Sequence, residues 1–139
     1  MTRAAPGSPG PVPVVCAIVE RKGRVLACRR NPEQTNAGLW EFPGGKVRKG
    51  EPLRAALVRE IREELGIEAA PQKPLTPVTH TYPWISIELI PFVCSLEKGE
   101  PHPHEHAEVR WVDKKEAMKL DWAEADVPIV KEYCQKSGN

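Results

Sequence analysis

Glu60, Glu63 and Glu64 stand at i, i+3 and i+4 within Arg59-Glu60-Ile61-Arg62-Glu63-Glu64-Leu65. On a helix this spacing projects three carboxylates from one side. With Glu60 at 0° and an advance of about 100° per residue, Glu63 falls near 300° and Glu64 near 40°. On the same count Leu53, Leu57, Ile61 and Leu65 lie between about 20° and 140°, and the small Ala56 near 320°. The acids therefore overlap the edge of the apolar stripe instead of opposing it. Like charges at i and i+4 destabilise a helix unless something sits between them. Oxygen-rich clusters of this kind suit hard cations such as Mg²⁺ or Mn²⁺. A solvated face carrying an Arg59–Glu63 pair is the plainer alternative, and helix geometry alone does not separate the two. Upstream, Gly44-Gly45 lets backbone approach a ligand closely and frees a carbonyl for a metal shell, although a plain turn would use the same glycines. Lys46, Arg48 and Lys49 add positive charge nearby.

The helix that must hold these acids is expected over residues 52–65, with Pro52 at its first position and Gly66 just past its end. Ahead of it, a β-branched strand over 14–19, a Lys22-Gly23 turn and a returning strand over 24–29 form a hairpin. A polar loop over 31–38 leads to a short strand at 39–42, which Pro43-Gly44-Gly45 breaks. Beyond the helix, residues 67–80 carry mixed strand and turn signals. Residues 85–96 read as a central strand in which Pro91 suggests a bulge or an edge. A last strand follows at 107–112. Asp113 with Glu116 makes a capping-box start to a helix reaching about Leu120, and a final helix covers 127–135. Strands flanking one strong helix, with helices at the end, indicate an α+β chain with a mixed sheet, in an α/β/α sandwich.

Composition narrows the partners. The chain has 139 residues, enough for one domain, expected over 14–139 behind a Pro/Gly-rich tail at 1–13. Lys and Arg total 20 against 19 acids, a net charge of +1, which argues against a nucleic-acid polymer as ligand and leaves room for a small anion. No apolar run reaches the length of a membrane span, and no signal segment opens the chain. Cys16, Cys28, Cys94 and Cys134 are far apart in sequence and read as reduced thiols, which points to the cytoplasm.

From Gly45 the chain reads Gly, five residues, Glu51, seven residues, then Arg59-Glu60-Ile61-Arg62-Glu63-Glu64-Leu65-Gly66-Ile67. This resembles the Nudix box with every fixed position filled. Gly38-Leu39-Trp40-Glu41-Phe42-Pro43-Gly44-Gly45-Lys46 and residues 120–130 are similar to the MutT-type branch, and the likeness spans roughly 14–135. The resemblance implies a Nudix-type α/β/α sandwich with a loop–helix–loop metal site. It also implies Mg²⁺-dependent (or Mn²⁺-dependent) hydrolysis of (deoxy)nucleoside triphosphates to monophosphate and pyrophosphate, including oxidised nucleotides such as 8-oxo-dGTP. The implied partner is a nucleotide, for a monomer or homodimer with no membrane association. Implied ligands are the Gly44 carbonyl, Glu60, Glu63 and Glu64, joined by Glu105 from the loop Gly99-Glu100-Pro101-His102-Pro103-His104-Glu105-His106. Arg59 is implied to orient a glutamate and Glu51 to brace the loop. Either Glu60 or Glu105 fits the general base. By position, Arg30, Glu41, Phe42, Pro43, Gly44 and Asp126 match nucleoside contacts, and Lys46 is expected to bind substrate as a basic side chain lining the approach.

Asp126 departs from the best-known bacterial MutT pattern, which has asparagine there. An ionised aspartate only accepts hydrogen bonds, and this brings forward the branch acting on cytidine nucleotides, CTP or modified dCTP. Asp126 also fits the N-cap of the last helix. His102, His104 and His106 alternate along their loop and read as loop residues near phosphate, with zinc or nickel as a lesser alternative. Trp40, Trp84, Trp111 and Trp122 offer stacking surfaces, although most read as core and Trp111 as structural. A non-catalytic, nucleotide-binding regulatory Nudix domain is the rival from another class. Such a domain is expected to have lost box residues, and none is missing.

Overall fold

Side chains along the first strand alternate between two cores. The computed structural model describes residues 10–136, and β1 (Val12–Arg21) begins two residues ahead of its expected start. Val15, Ala17 and Val19 pack on one face with Ala56, Leu57, Ile61 and Leu65 of α1 (Leu53–Leu65). Cys16 and Ile18 pack on the other with Trp40, Phe42, Tyr82 and Val112, and with Ile129, Val130 and Tyr133 of the C-terminal helix. Strand periodicity of two thus makes one strand the floor of both layers. The expected α/β/α arrangement follows.

Eight strands form one mixed sheet: β1, β2 (Arg24–Arg30), β3 (Trp40–Glu41), β4 (Gly44–Lys46), β5 (Glu68–Pro74), β6 (Val78–Tyr82), β7 (Ile85–Lys98) and β8 (His106–Val112). β1 runs parallel to β7, from Val12↔Ile87 to Glu20↔Ser95. Its other edge is shared. β2 pairs with it only at Glu20↔Val25 and Arg21↔Arg24, beside the turn where Lys22 and Gly23 take φ of 50° and 78°. β2 then diverges from β1 while its other edge pairs with β8 from Val25 to Arg30, and the chain from Trp40 to Lys46 enters the opening. There β3 pairs with β2, while β4 pairs with β1 at Cys16↔Gly44 and Val15↔Gly45. The glycine pair is thereby seated against the central strand, under α1.

Pro91 lies mid-strand in β7, not at an edge or bulge of the β1 pairing, opposite Cys16. The far edge of β7 passes from β6, which ends its pairing at Leu89, to β5, which begins at Phe92. The Pro91 carbonyl accepts from Leu75 N–H (3.0 Å) in that gap. A residue's N–H and C=O share one side of a strand, so the missing donor faces the gap and breaks no ladder.

α1 departs from expectation at its start. Pro52 is the N-cap, and Leu53 is 38% exposed while Ala56 is fully buried. The buried face is therefore rotated toward the acids, and Glu64 lies within it instead of at its edge. Gly66 ends the helix at φ 70°, its N–H donating to the Arg62 carbonyl. The Asp113–Glu116 capping box opens α2 (Lys114–Ala117), which stops short of Leu120. A 3-10 turn (Glu124–Asp126) leads into α3 (Val127–Lys136). All four cysteines are free, three of them buried. Among the described residues no helix is long and apolar enough to cross a membrane.

Candidate active site

Two glycines and two glutamates meet where β4 passes beneath α1. The Gly44 N–H donates to Glu64 Oε1 (3.1 Å). A Cβ on Gly44 would collide with the Val15 carbonyl oxygen and sit 2.7 Å from Cys16 Cα, and one on Gly45 would collide with the Glu60 carboxyl group. The absence of both methyl groups is what lets β4 reach the central strand and lets Glu60 lie over Gly45. Burial pushes the Glu64 carboxyl up to about 9; negative neighbours Glu41, Glu105 and Glu60 add to the rise, and the Gly44 N–H opposes it. A half-buried carboxylate among like charges, facing glycine backbone, is an environment that a hard cation would relieve, so these residues fit a divalent metal. Among the described residues, no three acidic, histidine or cysteine side chains stand together as a ready-made cage. Arg59 stands among these acids, its Nη1 engaging both Glu60 Oε2 (2.8 Å) and Glu63 Oε1 (3.3 Å). Glu63 is half exposed and also lies 3.9 Å from Arg48.

Arg59 is itself held by a fork. Its Nε and Nη2 donate to the two oxygens of Glu51 at 2.8 and 2.9 Å, and Nη2 also reaches the Lys46 carbonyl. Glu51 further accepts from Arg48 N–H (3.0 Å), tying the loop to α1. These bonds hold the Glu51 carboxyl down at about 2, against an ordinary 4.5, with the Arg59 hydrogen bonds as the main cause. A depressed acid contributes stability above its unfolded value and loses it as pH falls through its folded one. Glu51→Gln is therefore expected to melt below the parent near neutral pH. The gap should close between about pH 4.5 and 2, as thermal scans across that range would show.

From Glu64 and Gly44 a cavity of about 410 Å³ opens toward the β6–β7 hairpin. Arg30, Glu41, Phe42, Gly44, Lys46, Glu105 and Asp126 border it. Glu60, Glu63 and Pro43 do not, and Pro43 is buried. The Glu41 carboxylate is spoken for on both oxygens, by Arg30 Nη1 (2.9 Å) and by His106 Nε2 (2.9 Å). His106 is buried at the start of β8, with no partner for Nδ1. It thus belongs to the Glu41 network, whereas His102 and His104 stay exposed on the preceding loop. Asp126 is buried too. Its Oδ2 accepts from Phe42 N–H (2.9 Å) across the fold, and no bond from its side chain to the first turn of α3 is seen among the described residues. That replaces the helix-cap reading. Burial, followed by the charge of Glu41, pushes the Asp126 carboxyl well above the usual range. The opposite wall is apolar: Ile85, Ile87 and Leu89, which carried no expected role, share one face of β7, with Tyr82 and Trp84 at the mouth. Their period-two spacing is the signal that sequence reading would have used. Trp40 and Trp122 are core, and Trp111 is half-buried under the Arg21 guanidinium.

The NUDIX domain family matches residues 10–133. The CTP pyrophosphohydrolase of Escherichia coli is 38% identical over 122 residues, covering 88% of this chain and 90% of that protein. The 8-oxo-dGTP diphosphatase of Proteus vulgaris is 35% identical over 83 residues, covering 60% of this chain and 74% of that one. Among solved structures, the MutT protein of Methanosarcina mazei Go1 superposes with a TM-score of 0.81 at 25% identity, covering 92% of this chain and 96% of its own.

Proposed function

The chain belongs to the Nudix family and is a MutT-type hydrolase acting on nucleotides, and within that frame we propose that it converts nucleoside triphosphates to monophosphate and pyrophosphate with Mg²⁺ or Mn²⁺. The observation that supports this most is the placement of Glu64. It lies half-buried against Gly44, at the charged end of a cavity whose other end is apolar and aromatic. A triphosphate with its base attached has the same division. Glu60, Glu63, Glu64, Glu105 and the Gly44 carbonyl are the proposed metal ligands, and Lys46 the proposed phosphate contact. The bound ion would screen phosphate charge and lower the barrier to attack by water. Arg59, fixed by Glu51, orients Glu60 and Glu63. Glu105 is the proposed proton acceptor, because Glu60 is already engaged by Arg59 while no bond to the Glu105 carboxylate is seen among the described residues. Glu105→Gln is then expected to lower kcat by about 10²-fold. A variant that keeps the parent's kcat would move the role to Glu60.

Sanitising of oxidised nucleotides is the primary reading of the substrate. The cytidine reading is supported by the Escherichia coli relative and by Asp126, whose buried carboxyl meets the cavity with an acceptor already bonded to Phe42 N–H. A screen of 8-oxo-dGTP, dGTP, CTP and modified dCTP for pyrophosphate release, with Mg²⁺ and with chelator, tests both. The expected result is metal-dependent release, with one class preferred at least tenfold. Metal-independent turnover would overturn the cofactor assignment. The free thiols support a reducing, cytoplasmic setting.

A further inference from the structure

Trp84 is 51% exposed, in contrast to the buried Trp40 and Trp122. Scattered exposed apolar side chains are ordinary, but this one is held. Its ring stacks on Tyr82 with centroids 5.0 Å apart and planes 12° from parallel. Tyr82 is buried, with the His80 ring edge-on at 4.4 Å. Its Oη accepts from Ala125 N–H (3.0 Å), next to the cavity-lining Asp126. One face of the indole is thus backed by a fixed aromatic and the residue borders the cavity, at the end away from Glu64. Beneath it the wall is Ile85, Ile87 and Leu89.

The geometry points to Trp84 as the residue that stacks on the nucleobase, setting affinity for base-bearing substrates, an inference that rests on the nucleotide hydrolase reading. A planar base seated on this wall covers the exposed indole and exchanges its hydration for aromatic contact. Stacking tolerates any base, since every base has a π-face. The Tyr82 backing lowers the ordering cost of the contact. Trp84 acts on binding and carries no part of the bond-breaking step, so its loss should register in KM far more than in kcat.

The test is Trp84→Ala and Trp84→Phe in the full chain. Turnover is followed with the nucleoside triphosphate the parent hydrolyses best and with inorganic tripolyphosphate, which has no base. Equilibrium binding of the matching nucleoside monophosphate is measured alongside. Trp84→Ala is expected to raise KM and weaken monophosphate binding by about tenfold or more, with kcat moving much less. Trp84→Phe should recover most of the loss, and constants for tripolyphosphate should not change. An unchanged KM, or an equal rise for tripolyphosphate, overturns the assignment and leaves Trp84 a surface aromatic. A parent that hydrolyses no nucleotide would defeat the hydrolase reading instead. Binding of 8-oxo-dGMP and CMP by the parent and both variants would still decide the stacking role.

Discussion

Glu64→Gln is expected to cut pyrophosphate release by about a thousand-fold, equivalent to about 4 kcal/mol of transition-state stabilisation. The fold should survive. Gln retains an Oε1 that can accept from Gly44 N–H, so the bond joining β4 to α1 is kept. With its carboxyl pushed up to about 9, Glu64 is largely protonated near neutral pH without a cation, and a neutral amide of the same shape is a close substitute. What the amide cannot supply is the negative charge for a metal. Thermal melting separates the two contributions. In chelator, parent and variant should melt together, whereas added Mg²⁺ should raise only the parent's Tm, since a ligand stabilises the state that binds it. Normal turnover by the variant would sink the metal assignment.

The second large effect separates two adjacent glycines. Gly44→Ala would drive a methyl group into the backbone of β1, against the Val15 carbonyl and 2.7 Å from Cys16 Cα. β1 is the floor of both cores, so it cannot yield without disturbing each of them. A loss of about 3–5 kcal/mol is expected, a large part of a domain's total stability. Gly45→Ala meets first the carboxyl end of Glu60, which can rotate away. That variant should stay folded, with a Tm near the parent's, and lose about 10²-fold in rate because Glu60 is displaced from Gly45. Chemical denaturation and pyrophosphate assays of both variants would show whether the contrast holds. A folded, active Gly44→Ala would overturn the packing argument.

Much of this was legible along the chain, for a definite reason. The box from Gly45 to Ile67 is local: its acids, its helix and its Gly66 stop lie within a few turns of one another. Hairpin turn, helix ends and the Asp113 capping box are likewise set by neighbours a few residues apart. Failures came where a contact closes over distance. Leu53 sits on the apolar count yet is exposed, because packing against β1 and β4 selected Ala56 as the edge of the stripe. Asp126 had a good local role as a cap and took a remote one instead, 84 residues from Phe42.

The hydrolase family was therefore legible in the sequence, and the tertiary structure decided the pocket. Carboxylates at i, i+3 and i+4 after a glycine pair carry their meaning in spacing, which helix geometry converts directly into position. The partnership of Glu41 with His106, 65 residues on, depends on β2 diverging from β1 to take β3 on that edge while its other edge pairs with β8. So does the opening that admits Gly44 and Gly45 beneath α1. The Tyr82–Trp84 stack at the cavity mouth depends on β6 folding back on β7. Strand pairing is a competition among distant partners for hydrogen bonds and burial, and no short window of residues records which partner wins.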